Sequence, residues 1–206
     1  MKQDRIIGGT KIFDAEFIKS AVSVKDIPDD GLPQVAFLGR SNVGKSSLLN
    51  ALLGEKSLVK VSTKPGKTRE MNFFLVNDAF YFVDLPGVGY AQVSIGKRDE
   101  MSNFIREYVE TCKRLKGLVY MVDIRHGGHD IDVQTVEAIR AGGCPVLLIA
   151  NKRDKVNQSE LARNRKELQA KFSLPEMPIA VSAFKKTGLD LLWSEILSSI
   201  AEQNGK

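Results

Sequence analysis

The stretch GRSNVGKSSLLNALL, residues 39–53, decides the fold. It holds Gly39, four intervening residues, then Gly44-Lys45-Ser46, set between the apolar run VAFL and a segment with helical apolar spacing. A glycine-rich turn between a strand and a helix lines up backbone N–H groups around an anion, and the helix dipole adds its positive end. Gly39 and Gly44 let the loop close without Cβ clashes, while Arg40, Ser41, Asn42 and Val43 form its wall. Lys45 can reach the outer phosphates of a nucleotide, and the Ser46 hydroxyl can ligate Mg²⁺.

Apolar runs recur on both sides of this loop: 34–39, 71–76, 80–85, 117–123, 145–150 and 178–182. Several are nearly continuous, as strands covered on both faces are. Between them, apolar residues at three- and four-residue spacing mark helices at 44–53, 99–115, 131–141, 158–171 and 188–202. Only NDA separates 71–76 from 80–85, too little for a crossover helix, so those two strands must form an antiparallel hairpin. The pattern predicts an α/β fold: a doubly wound, mostly parallel six-stranded sheet with one antiparallel strand and helices on both faces. Residues 31–206 read as a single domain and residues 1–30, with weak periodicity, as an extension packed on it. Two long loops, 54–70 and 88–98, break the rhythm, and such loops in small domains are usually functional.

Three further motifs fall at strand ends. FVDLPG places Asp84, Leu85, Pro86 and Gly87 after a strand; Asp84 can hold the Mg²⁺ shell and Gly87 can offer its N–H to a terminal phosphate. LLIANKRDK supplies Asn151, Lys152, Arg153 and Asp154. A carboxylate there accepts from both the N1–H and the exocyclic amine of guanine, a pair of donors that adenine lacks. The Asn151 side chain can support the base edge and the Lys152 stem can lie along it. VSAFKK follows the last strand, with Val181, Ser182 and Ala183 placed to offer a backbone N–H to guanine O6. Ligands of open α/β sheets bind outside the carboxyl ends of the strands, where all four motifs lie. The nucleotide is therefore GTP or GDP, and Asp154 argues against an ATP-using kinase or ATPase.

In the long loop, Thr68 of KPGKTRE could complete the Mg²⁺ shell beside a γ-phosphate and be released on hydrolysis. Ser62 and Thr63 compete for that role. Val88 follows Gly87, where small signalling GTPases carry a water-orienting glutamine. Intrinsic hydrolysis should accordingly be slow. DIRHGGHD, 123–130, brings His126 and His129 together, but two imidazoles on a glycine loop are poorly fixed for a metal. A helix cap or a partner contact suits the segment better.

Composition sets the outer bounds. The chain of 206 residues is 43% hydrophobic and 27% charged, ordinary for a soluble domain with a real core. No apolar run approaches the ~20 residues that span a bilayer, and the first residues do not read as a signal peptide, so a cytoplasmic location is expected. Cys112 and Cys144 are expected to be reduced thiols that pack as small hydrophobes. A net charge of +5 permits a polyanionic partner such as RNA without demanding one.

Taken together, GRSNVGKSSLLNALL, KPGKTREMNFF, VDLPGVGYA, DIRHGGHDID, NKRDK and SAFKKTGLDLL resemble the EngB (YihA/YsxC) family of Era-like bacterial GTPases. The resemblance runs through most of 13–200. It implies a TRAFAC-class P-loop GTPase with Mg²⁺ held by Ser46, Thr68 and Asp84. It also implies a role in assembling the large ribosomal subunit, through rRNA and ribosomal proteins, and a need for the protein in normal cell division and septation. It supports Thr68 as the switch threonine, with Lys45 and Gly87 as the other groups acting on the γ-phosphate. It extends the nucleotide site over Gly66, Lys67, Arg69 and Glu70. Val88, Lys64 and Glu70 stand where the family usually has Tyr, Thr and Gln. In several Era-like GTPases an Asn at the position of Asn42 helps hold K⁺ against the phosphates, which makes K⁺ a candidate cofactor. Neither DNA binding nor membrane insertion is expected. Two rival readings are an interaction module in which hydrolysis is secondary and an accessory GTPase of RNA modification.

Overall fold

Alternate residues of a strand face opposite sides of its sheet, and here both sides are apolar. In the strand Gln34–Gly39, Ala36 and Leu38 point into one buried cluster while Val35 and Phe37 point into another. The computed structural model describes residues 5–7, 10–12, 14–55, 57–59, 70–88 and 95–202. Among them the elements run β1 (Arg5–Ile7), β2 (Thr10–Ile12), β3 (Ala15–Ala21), β4 (Gln34–Gly39), α1 (Lys45–Leu53), β5 (Met71–Val76), β6 (Phe80–Asp84) and α2 (Ile95–Thr111). They continue with β7 (Leu115–Asp123), α3 (Asp130–Ala141), β8 (Val146–Asn151), α4 (Gln158–Lys171), β9 (Ile179–Ala180) and α5 (Leu189–Glu202). No helix of the described residues is long and apolar enough to cross a membrane.

The main sheet has the order β3-β5-β6-β4-β7-β8-β9, and β1 pairs with β2 in a separate antiparallel ladder. Strands β6, β4, β7, β8 and β9 pair in parallel, and β5 runs against its neighbours. The β5–β6 hairpin forms as its short connection requires. Its turn takes Asn77 and Asp78 to φ 53°, a region that short polar side chains tolerate. Helices α1 and α5 cover one face; α2, α3 and α4 cover the other. On the first face Trp193 is fully buried, with its ring 5.3 Å from Phe82 and 6.3 Å from Phe80.

Two features depart from the sequence reading. The sheet has seven strands, not six, because residues 15–21 of the expected N-terminal extension add an edge strand beside β5. A bulge between Phe17 and Lys19 breaks its alternation, and Phe17 and Ile18 are both exposed, so no period of two survives in the sequence. Residues 95–98, read as loop, are the first turn of α2.

Both cysteines are free thiols. Burial pushes Cys144 up to about 12 and also raises Cys112. The Tyr108 hydroxyl donates to Gln34 Oε1 at 2.7 Å beside the cluster that holds Ala36 and Leu38, which satisfies a fully buried amide.

Candidate functional site

Because five strands run parallel, their carboxyl ends share one edge of the sheet. Gly39 ends β4, Asp84 ends β6, Asp123 ends β7 and Asn151 ends β8. Three of the four strand-end motifs predicted from sequence start at those ends, and the fourth, Val181–Ala183, follows β9.

The loop after β4 closes tightly enough to require its glycines. A Cβ on Gly39 would stand 2.7 Å from the Met121 carbonyl oxygen. Gly44 has φ +100°, and a Cβ there would stand 2.6 Å from Asn151 Nδ2. Asn42 also takes a left-handed conformation, φ 63°. Lys45 opens α1, and its ammonium is hydrogen-bonded and ion-paired with Asp84 Oδ1. Both side chains are nearly buried, 12% and 11% exposed, so each charge depends on the other. The segment after Asp84 is fastened to the same loop: Leu85 N–H donates to the Phe37 carbonyl at 3.1 Å, and Val88 N–H to the Gly39 carbonyl at 3.2 Å.

The loops after β8 and β9 form a second cluster. Asn151 Nδ2 donates to the Val43 carbonyl at 3.0 Å, and Lys152 Nζ to the Asn42 carbonyl at 2.7 Å. These two bonds tie the NKRD segment to the phosphate loop. Asp154 Oδ1 accepts from the Ser182 hydroxyl at 2.6 Å, and Arg153 N–H donates to the Val181 carbonyl at 3.0 Å. The Ser182 bond is the largest influence on the Asp154 carboxyl and holds it below its ordinary value of 3.8, against the opposing effect of burial.

Sequence reasoning did not single out Asp123. It accepts a two-pronged contact from Arg125, at 2.9 Å from Nε and 2.6 Å from Nη2, and pairs with Lys152 Nζ at 2.9 Å. Burial alone would raise its carboxyl, but the bonds from Arg125 and Lys152 outweigh that and hold it well below the usual carboxylate range. The signal was available: an acid ending a parallel strand, as Asp84 does. The DIRHGGHD segment caps a helix, one of the two roles expected of it. His129 precedes α3, and its N–H donates to Asp132 Oδ2 at 2.7 Å. Its imidazoles line a cavity of about 180 Å³ beside Arg40 and Ser41. Of the loop 54–70, residues 60–69 lie outside the described residues, and with them Ser62, Thr63, Lys64, Gly66, Lys67, Thr68 and Arg69; Glu70 is described and exposed. Residues 89–94 of the second loop also lie outside them.

A family model described as 50S ribosome-binding GTPase matches residues 34–152. The chain is 39% identical to the probable GTP-binding protein EngB of Bacillus subtilis (strain 168), over 92% of this chain and 98% of that protein. It is 47% identical to the EngB of Pelotomaculum thermopropionicum, over 80% and 83%. Among solved structures, a probable GTP-binding protein EngB superposes with a TM-score of 0.69 at 26% identity, over 82% of this chain and 99% of that one. Aquifex aeolicus Era bound to GDP and AlF4⁻ gives 0.67 at 28%, over 82% and 56%. The resemblance carried by six stretches of sequence thus extends along almost the whole chain, and the protein belongs to the EngB family of P-loop GTPases, which bind GTP and hydrolyse it.

Proposed function

We propose that this GTPase is a nucleotide-controlled switch in assembly of the large ribosomal subunit, through which it supports cell division and septation in the cytoplasm. The observation that carries this reading is mechanical. The strand-end segment 84–88 is bonded to the phosphate loop itself, through Lys45–Asp84 and through Val88 N–H to the Gly39 carbonyl. A change at the phosphates therefore reaches the start of the loop 88–98 without an intermediary. The description of the matching family model, 50S ribosome-binding GTPase, supports the large subunit as partner. Era, which shares the fold, was solved with a segment of 16S ribosomal RNA.

In this reading the nucleotide-binding unit runs from residue 31 to 206. Gly39–Ser46 cradle the phosphates, with Lys45 on the outer ones. Asn151–Asp154 and Val181–Ala183 hold guanine, with Asp154 as the acceptor of its two donors. Ser46, Asp84 and Thr68 are the groups for Mg²⁺, and the first two fit it: a hydroxyl on the first turn of α1 and a nearly buried carboxylate opposite. Held by those groups, Mg²⁺ would supply positive charge to offset the charge developing on the phosphates. Lys45 and Asp84 would then exchange each other for phosphate and metal. Gly87 offers its N–H to the γ-phosphate, and Gly66–Glu70 complete the site.

Turnover is slow in this account because Val88 is half-buried against the core cluster and has no group to orient water. The same residue favours the second reading, an interaction module in which hydrolysis is secondary. Asn42, exposed at the loop tip, is the candidate K⁺ ligand. Co-sedimentation with large subunits in GDP and in a non-hydrolysable GTP analogue tests the switch. Binding should favour the GTP analogue, and equal binding in both would remove it. Turnover measured with and without subunits separates the two readings.

A further inference from the structure

The loop that follows β9 does more than reach toward a base. Ser182 and Thr187 exchange both backbone hydrogen bonds, at 3.0 and 3.2 Å, closing residues 183–186 into a tight turn. Lys185 N–H donates to the Ser182 hydroxyl at 3.0 Å, and Lys186 takes φ 53°, so the tip is fixed from within. Its stem is anchored: Val181, Ser182 and Leu189 are all nearly fully buried. What this turn presents is Phe184, 79% exposed, more than any other large apolar side chain among the described residues. Lys185 Nζ stands 5.3 Å from the centre of its ring.

Single exposed hydrophobes are common, but this one belongs to a pair of adjoining loops rich in cations. Lys185 and Lys186 follow Phe184 in the chain, and Arg153 and Lys155 come from the turn that Arg153 N–H and Asp154 fasten to the same stem. The one carboxylate of these two loops, Asp154, is already engaged by Ser182 and, at 3.6 Å, by Lys155. An exposed aromatic ring on a fixed turn, with one lysine over it and further cations on its own and the neighbouring loop, matches the chemistry of an unpaired nucleobase on a phosphate backbone: the face stacks and the cations follow the phosphates. We propose that the Phe184–Lys185–Lys186 tip is a docking surface for single-stranded RNA. This names the partner chemistry of the ribosomal reading and rests on it.

The test uses the whole protein saturated with a non-hydrolysable GTP analogue and a labelled single-stranded RNA of about twelve nucleotides, followed by fluorescence anisotropy. Phe184→Ala should weaken binding about tenfold, within the range for one lost stacking contact, and leave GDP affinity unchanged. Phe184→Trp should keep RNA binding, and its new indole should be quenched by the RNA; the chain's own Trp193 is fully buried, out of the RNA's reach. Replacing Lys185 and Lys186 together by Ala should flatten the dependence of log affinity on log salt by about 1.4. A duplex of the same sequence should compete poorly, since its bases are already stacked. Equal RNA affinity for the wild type and Phe184→Ala would overturn the proposal. So would a Phe184→Ala variant that loses GDP while keeping RNA, which would make the ring a wall of the nucleotide slot. Wild-type protein that pellets with large subunits yet ignores the oligonucleotide overturns this surface and leaves the ribosomal reading standing.

Discussion

The two ends of the nucleotide site hold their charges in opposite ways. At the phosphate end Lys45 and Asp84 neutralise each other directly, both nearly out of water. At the base end Asp154 is held by a neutral hydroxyl, and Lys155 stands farther off at 3.6 Å. A carboxylate bonded to a hydroxyl keeps lone pairs free, so under the proposed assignment the base end is set before guanine arrives. In the proposed reading the phosphate end parts an ion pair when an anion and a cation arrive together. The arrangement makes the base end a reader and the phosphate end a sensor.

The change that breaks this contrast most severely is Lys45→Ala. It removes a donor to phosphate and strands Asp84, and breaking a buried pair costs about 3–5 kcal/mol. GDP affinity should fall by more than about a hundredfold in a fluorescent-nucleotide titration, and the melting temperature should drop as well. Loss of neither would mean that the pair is idle.

Next in size is Asp154→Asn, which turns an acceptor into a donor. Guanine nucleotides should weaken by roughly a hundredfold, the range for a buried group left unpaired, and xanthine nucleotides should gain. Full GDP affinity in this variant would remove Asp154 from the base site.

Ser182→Ala sharpens the comparison more gently, with GDP weakened about fivefold, in line with one lost hydrogen bond of about 1 kcal/mol. Its clearer signature is in pH. The Asp154 carboxyl lies below 3.8 in the folded protein, so its contribution is complete above that value and fades as pH falls through the lower, folded one. Without the hydroxyl, the midpoint should move up toward 3.8, as a carbon-13 titration of the carboxyl would read. An unmoved midpoint would leave the bond without influence.

The smallest effect concerns Asn42. Selective stimulation of GTP turnover by KCl over NaCl at matched ionic strength should vanish in Asn42→Ala. Identical wild-type rates in the two salts would leave K⁺ no role.

Most of the fold was legible because its signals are local. The hairpin of β5 and β6 follows from three intervening residues, and α4 begins at Gln158 and ends at Lys171, the bounds its spacing marks. The placement of Gly39, Asp84, Asn151 and Val181 was legible for the same reason, since each follows an apolar strand. The rest depends on contacts distant in sequence. Asp123 gains its meaning only when Lys152 folds against it, and β3 is a strand only because β5 offers it an edge. The Ser182–Asp154 bond spans 28 positions and no spacing rule announces it.

The bulge in β3 that hid the strand from its own sequence has a further consequence for the protein in crowded solution. β3 is an outer strand carrying exposed Phe17 and Ile18, the kind of margin on which another chain could nucleate an eighth strand. The shift in register between Phe17 and Lys19 spoils the even ladder that such an addition needs, and Lys19 sets a charge in its path. At the opposite margin β9 is only two residues long, too short to template anything. Both margins of the open sheet thus resist the addition of another strand, although apolar side chains stand exposed on its rim.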